Sequence, residues 1–350
     1  MRRFILTAFL LALVACNRGD GESKPAGQTN DVIRVGHFPN LTHAQALVGL
    51  SRGDFARALG SKVTIETTVF NAGPSVIEAM FAKRLDLAYI GPNPAINGYV
   101  QSRGEALRVV AGATSAGAAF VVRPDAGIAS PADLAGKRLA TPQLGNTQDV
   151  ALRAYLVAHG LQTREKGGSV DVVPTQNPQI IDLIKQKQVD GAWVPEPWAS
   201  RLVVEAGCTI LVDERDLWPG GDFVTAHIIV RTEYLEAHPQ VVKAWIDAHV
   251  GVTQWLLANP DEAQLLINQQ IETLTGKSIA PEVLTQAWSR LRPTWDPIAP
   301  SLFECANAAH AAGFLPGKPD LAGIYDLSLL NQVLRAKGLP EIAVSAGVTP

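Results

Sequence analysis

The chain is poor in cysteine and has no contiguous positive charge. Three cysteines in 350 residues cannot frame a disulfide-rich scaffold. One of them, Cys16, lies at the head of the chain, which leaves Cys208 and Cys305 as the only pair. Nothing in the sequence brings these two within bridging reach, and two free buried thiols are the equal alternative. No Lys/Arg-rich stretch is present and the formal net charge is −3 at pH 7, which argues against a nucleic-acid partner. Beyond an N-terminal apolar run, no segment is long and apolar enough to cross a bilayer. Paired carboxylates, a metal-spaced His/Cys cluster, a phosphate-binding loop and a Ser-His-Asp arrangement are also missing, and no cofactor motif stands out. A hydrophobic content of 47% can bury large cores, and the length suggests two domains.

The N-terminus has its own pattern. Arg2 and Arg3 precede an unbroken apolar run over residues 4–15, shorter than the roughly 20 residues of a membrane span. This reads as a secretory signal, outside the fold. It ends in Leu13-Val14-Ala15-Cys16, which resembles a bacterial lipobox; there the peptide is cut before the cysteine and Cys16 carries the lipid. Asn17, in place of aspartate, points to outer-membrane sorting in a Gram-negative host. Residues 16–30, rich in small and polar types, read as a flexible tether. The expectation is an exported protein held to a membrane through lipid on Cys16.

Along the rest of the chain, strands alternate with helices, the mark of parallel α/β sheets. Strands are expected at 32–35, 63–70, 85–90, 107–113, 118–122, 137–140, 170–173, 190–194 and 226–230, with a helix over 44–59. Ser130 is placed as the N-cap of a short helix starting at Pro131. From residue 232 the chain reads as helical, with segments 239–258, 260–273, 281–291, 301–312 and 327–337.

One pattern occurs twice at a constant offset. Residues 77–90 align without a gap to 181–194, setting Asp86 on Asp190, and the same offset carries Arg34-Val35-Gly36 onto Arg138-Leu139-Ala140. Each copy is followed by a proline-rich turn. Two like α/β lobes facing each other form a cleft suited to a small molecule. Phe120-Val121-Val122-Arg123 and Ile228-Ile229-Val230-Arg231 bracket the second copy. The chain therefore leaves lobe one near residue 118 and returns near 226, so that lobe one is 31–118, lobe two 119–226, and 227–350 returns to lobe one. Two extended crossovers make a hinge for closure on a ligand, and the C-terminal helices should pack on lobe one.

In open parallel sheets ligands sit at the carboxyl ends of strands, facing helix N-termini. The loops in those places are 39–45, 71–75, 91–94 and 142–149, polar and stiffened by Pro and Gly. Helix N-termini bind anions through free N–H groups and the macrodipole, with no need of lysine or arginine. The lack of an evident arginine clamp disfavours a doubly charged phosphate.

With these motifs the chain resembles the solute-binding proteins of ABC importers for aliphatic sulfonates, taurine and nitrate. The likeness rests on Val35-Gly36-His37-Phe38-Pro39, Ala88-Tyr89-Ile90-Gly91-Pro92-Asn93-Pro94-Ala95, Leu144-Gly145-Asn146-Thr147-Gln148-Asp149 and Asp190-Gly191-Ala192-Trp193-Val194-Pro195-Glu196-Pro197-Trp198. It implies a two-lobe periplasmic-binding-protein type II fold with two crossover strands and a helical C-terminal region. It also implies a monomer that delivers a small anionic solute to a membrane permease. Carried onto this chain, the ligand set is Asn40, Thr42, His43, Ser75 and Asn93 from lobe one, and Asn146, Thr147 and Gln148 from lobe two. Glu196 and Trp198 stand on the hinge-side wall, with Thr225 and His227 where the chain returns. Trp193 is assigned to the lobe core, and Trp218 to anchoring a loop. The rival readings are an enzyme on the same fold, akin to aromatic sulfinate desulfinases or pyrimidine-precursor synthases, and a ligand sensor. Against the enzyme, no cysteine occupies a strand-end loop. The solute itself is not named by the sequence.

Overall fold

The alternating strands and helices resolve into two separate sheets in the computed structural model, which describes residues 31–343. The signal segment, Cys16 and the tether lie outside the described residues. In chain order the strands are β1 (Asp31–His37), β2 (Val63–Val69), β3 (Leu87–Ile90), β4 (Leu107–Ala116), β5 (Ala118–Val122), β6 (Arg138–Thr141), β7 (Asp171–Pro174), β8 (Gly191–Pro195), β9 (Thr209–Asp213), β10 (Val224–Arg231) and β11 (Leu291–Pro293). Lobe one is a six-stranded sheet ordered β11-β4-β10-β3-β1-β2, and lobe two a five-stranded sheet ordered β7-β6-β8-β5-β9. In each, three parallel strands abut antiparallel ones: β3 pairs with β10, and β8 with β5.

The helices between strands are α1 (Ala44–Ser51), α2 (Asp54–Leu59), α3 (Gly73–Phe81), α4 (Pro92–Gln101), α5 (Thr147–Ala158), α6 (Asn177–Lys185) and α7 (Trp198–Ala206). The C-terminal set is α8 (Thr232–Ala237), α9 (Pro239–Ala258), α10 (Pro260–Thr275), α11 (Pro281–Ser289), α12 (Ala299–Ala311) and α13 (Ser328–Ala336). Large buried rings tie these layers to the sheets. Phe55 on α2 stacks on Trp245 of α9 at 3.8 Å, and in lobe two Trp193 stacks on Phe120 at 5.4 Å. Trp193 is thus a core residue, as its apolar strand context suggests.

The internal repeat extends to individual hydrogen bonds. Asp86 accepts from the Arg34 backbone N–H at 2.9 Å and from Arg231 Nη2 at 2.8 Å. Asp190 accepts from the Arg138 backbone N–H at 2.8 Å and from Arg123 Nη2 at 3.0 Å. The helix before each aspartate ends in a left-handed lysine, Lys83 with φ 56° and Lys187 with φ 57°, a position usually given to glycine. In each lobe one carboxylate therefore locks three strands: the one that carries it, the first parallel strand, and the antiparallel strand ending in arginine.

Several local expectations change. The 44–59 helix breaks at Gly53, whose φ of 72° lies outside the right-handed region. The 281–291 helix stops at Ser289, and residues 291–293 instead extend the six-stranded sheet as β11. Strand β9 was not foreseen; it is a short, partly exposed edge strand whose apolar run is only Ile210-Leu211-Val212. The first crossing between sheets is only the turn at Ala116 and Gly117, with φ of 61° and 85°. The return runs through two 3-10 turns, Glu214–Leu217 and Pro219–Gly221, and a bond from Ala116 N–H to the Phe223 carbonyl at 2.9 Å joins the crossings.

The C-terminal helices do not serve lobe one alone. α11 packs against α7, and α12 packs against both α4 and α5. The cause is polar as well as apolar: Arg290, just after α11, reaches buried Glu196 at 3.2 Å and Ser200 Oγ at 2.8 Å.

Candidate functional site

The two sheets present the carboxyl ends of their parallel strands to each other. The loops from β1, β2 and β3 on one side, and from β6, β7 and β8 on the other, enclose a cavity with about 370 Å³ of free space counted out to its mouth. Four helices begin at its wall: α3 at Gly73, α4 just after Gly91, α5 at Thr147 and α6 at Asn177. Their free first-turn N–H groups and dipoles give a positive potential there without any cationic side chain. No Asp, Glu, Lys or Arg lines this cavity.

Of the residues selected from sequence, Asn40, Thr42, His43, Asn146, Thr147, Gln148 and Thr225 line the cavity. His43 accepts from the Phe38 backbone N–H through Nδ1 at 3.3 Å. Burial and the charge of His37 hold its pKa well below the ordinary histidine value. The ring is therefore neutral with its proton on Nε2, a donor. Asn146 caps α5, its Oδ1 accepting from the Asp149 N–H at 2.8 Å, while its Nδ2 donates to Gln148 Oε1 at 3.1 Å. That bond orients the Gln148 amide N–H groups as further donors. Thr147 Oγ1 is buried with no hydrogen-bond partner among the described residues. Thr225 spends its hydroxyl on the Ala116 carbonyl at 2.5 Å, and Asn40 Oδ1 accepts from Trp198 Nε1 at 2.8 Å.

The others stand elsewhere. Ser75 accepts from Gln143 Nε2 at 3.3 Å, a bond between lobes at the rim. Asn93 turns away to donate to the Cys305 carbonyl at 3.0 Å, which seats α12. Glu196 is fully buried, accepting from the Ser200 N–H and hydroxyl, both at 3.0 Å, and from Arg290. Burial raises its pKa despite these partners. Trp198 lies beyond the cavity, with its indole N–H on Asn40 and the Arg201 guanidinium over its ring at 4.9 Å. His227 is buried in the six-stranded sheet, close to the Pro297 carbonyl at 3.1 Å, and burial lowers its pKa to about 4. None of these five lines the cavity; Ser75 stands at its rim, and the other four are buried on partners of their own.

Asn71 and Gly91 lie in loops singled out from the sequence but outside the ligand set drawn from it, and Asn177 lies outside those loops. Asn71 Nδ2 donates across the cleft to the Pro142 carbonyl at 3.4 Å. Asn177 Oδ1, like Thr147 Oγ1, is buried without a partner among the described residues. Its signal was in the repeat: at the same offset, Asn177-Pro178 falls on Gly73-Pro74, the start of α3. Gly91 permits the lobes to meet, because a Cβ there would overlap Thr147 Oγ1.

Known proteins share this fold and part of this sequence. Residues 26–269 match the model of the NMT1-like family. The chain is 29% identical over 237 residues to the taurine-binding periplasmic protein of Escherichia coli K12, covering 68% of this chain and 70% of that one. It is 24% identical over 336 residues to a putative aliphatic sulfonates-binding protein of Bacillus subtilis 168, covering 94% and 95%. Among solved structures, the alkanesulfonate-binding protein SsuA of Xanthomonas axonopodis pv. citri bound to MOPS superposes with a TM-score of 0.70 at 19% identity, covering 84% of this chain and 98% of that one.

Proposed function

Because the chain belongs to the NMT1-like family, we propose that it is an extracytoplasmic solute-binding protein. It captures a small anion between its lobes and delivers it, as a monomer, to the permease of an ABC importer. The observation that carries this reading is the cleft cavity. Neutral donors and four helix N-termini from both lobes converge on it, and no acid lines it. The relatives' sulfonate and taurine ligands support a singly charged sulfonate-like solute.

His43, Thr42, Thr147, Gln148 and Asn177 are assigned to the ligand, and Asn40, Asn146 and Thr225 to holding the wall. A thermal-shift screen of small anions tests the reading, since a ligand at 100 times its dissociation constant adds about 2.7 kcal/mol of stability. If no sulfonate, carboxylate or nitrate shifts the midpoint, the reading fails.

Thr42 and Thr147 belong to opposite lobes. Each hydroxyl bonded to a charged group contributes about 1.5–3 kcal/mol. Thr42→Val and Thr147→Val should each weaken binding roughly ten- to a hundredfold by calorimetry, with melting temperatures unchanged. Unchanged affinity in both variants would make them packing residues.

The enzyme reading has less support. Neither Cys208 nor Cys305 reaches the cavity, and burial pushes the Cys208 thiol up to about 11, far from a reactive thiolate. His43 is neutral with Nδ1 taken by the Phe38 N–H, and no cysteine stands beside it in the cavity.

Lipid attachment at Cys16 completes the proposal, placing the protein at a membrane surface outside the cytoplasm. Cys16→Ala should move it from the membrane fraction to the soluble fraction. Wild-type protein recovered wholly soluble would refute the anchor.

A further inference from the structure

Behind the cleft, on the far side of Thr147, lies a second and larger chamber with about 1160 Å³ of free space counted out to its mouth. Its walls come from α5 in lobe two, α12 in lobe one and the return crossing that joins the sheets. Room exists because α5 presents Ala151, Ala154 and Ala158 along one face, opposite Ala308. Thr147 lines both spaces. The two differ in their charged groups: the cleft is walled by donors without an acid, whereas the chamber includes Glu214 and Glu304, with His159 against Tyr155 and neither lysine nor arginine.

Glu214 is the telling group. Its residue is 4% exposed and it pairs with no cation among the described residues. Its Oε2 accepts from Trp193 Nε1 at 2.7 Å. A buried carboxylate without a cationic partner is costly. The rings of Trp193, Tyr155 and Trp218 line the same space. One face of Trp193 is covered by Phe120 and one of Trp218 by Phe223. The aromatic and apolar surface left beside a carboxylate with no cationic partner matches the chemistry of an alkylated ammonium, which gains ion pairing there and cation–π attraction at a ring face it reaches. We propose that this chamber binds an ammonium group, with Glu214 as its counter-charge and the three rings as its walls. Burial pushes Glu214 up to about 7, against the pull of the Trp193 and Trp218 indoles, so an adjacent cation would hold it ionised.

The ammonium has two possible sources: a separate small amine, or the far end of the solute whose acid group occupies the cleft. Only the second source rests on the proposed function. The probes are tetramethylammonium, methanesulfonate, and ω-aminoalkylsulfonates of increasing length, each titrated by calorimetry into the whole protein. Tetramethylammonium should bind saturably, and Glu214→Gln, which keeps the bond to Trp193, should weaken it at least about tenfold while methanesulfonate binding stays within about twofold. Ala154→Phe, which fills the chamber from α5, should do the same by a different route and covers the case of a poorly folding Glu214→Gln. If the amine belongs to the solute, an aminoalkylsulfonate of fitting length outbinds methanesulfonate, and Glu214→Gln erases that gain alone. If the sources are separate, tetramethylammonium and methanesulfonate bind together without competition. Loss of methanesulfonate binding with tetramethylammonium retained would overturn the anion reading and leave the chamber standing. Amine affinities unchanged by both variants, or no amine binding at all, overturn the ammonium site.

Discussion

Asp86→Ala should destabilise the protein by about 3 kcal/mol or more. The carboxylate is fully buried and joins Arg34 on β1 to Arg231 at the end of β10. Its loss strips a backbone N–H of its acceptor and leaves each guanidinium with only its outer carboxylate, Glu66 for Arg34 and Glu233 for Arg231. Removing one partner of a buried ion pair typically costs about 3–5 kcal/mol. Arg34, 42% exposed at its side chain, can turn to water, which keeps the cost at the low end. The repeat supplies an internal control. Asp190 makes the corresponding bonds in lobe two, but its side chain is 23% exposed. Asp190→Ala should therefore cost clearly less, roughly 1–2 kcal/mol. Thermal melts of the two variants decide it. Equal shifts would mean that burial does not set the difference, and no shift in either would remove the carboxylate as the lock of each sheet.

Gly91→Ala should leave folding intact and disable the cleft. The new methyl group would occupy the position of Thr147 Oγ1 on the opposite lobe. The clash exists only when the lobes are together, so it penalises the closed state and not the separate sheets. Overpacking of this kind costs about 1–3 kcal/mol, which lowers ligand affinity about 5- to 150-fold. Because a ligand shifts the lobes only by its preference for the closed arrangement, the loss should appear in affinity and in small-angle scattering with ligand. The melting temperature without ligand should hold. A variant that binds normally would show that Thr147 can rotate away at little cost, and that close approach at Gly91 is not required.

The sequence alone determined a great deal of this protein. Alternating apolar segments and Pro/Gly punctuation located most of the strands and all five long C-terminal helical segments, because strand and helix periodicities are local properties of the chain. The constant offset between residues 77–90 and 181–194 foretold two sheets, and the aspartates and lysines it superposes keep the same partners and backbone angles in both lobes. The loops that build the cleft were legible for the same reason: strand ends and helix starts are written in Asn, Thr, Gly and Pro.

Only tertiary structure decided which of the polar residues in those loops face the solute. Asn93 and Thr147 read alike in sequence, each near the start of a helix after a strand. α12 claims the Asn93 amide, while nothing among the described residues claims the Thr147 hydroxyl. Glu196, the one acid set squarely in a motif, proved to be the buried partner of Arg290, 94 residues away in the chain. Asn177 sits where the repeat sets it opposite Gly73, but that its side chain lines the cavity is seen only in the folded chain. Short β9 and β11 pair on the edges of β5 and β4, and α11 and α12 reach lobe two through apolar packing on α7 and α5, joined by the Arg290 link to Glu196. Each of these depends on contacts between segments far apart in the chain, which periodicity does not encode and the folded chain supplies.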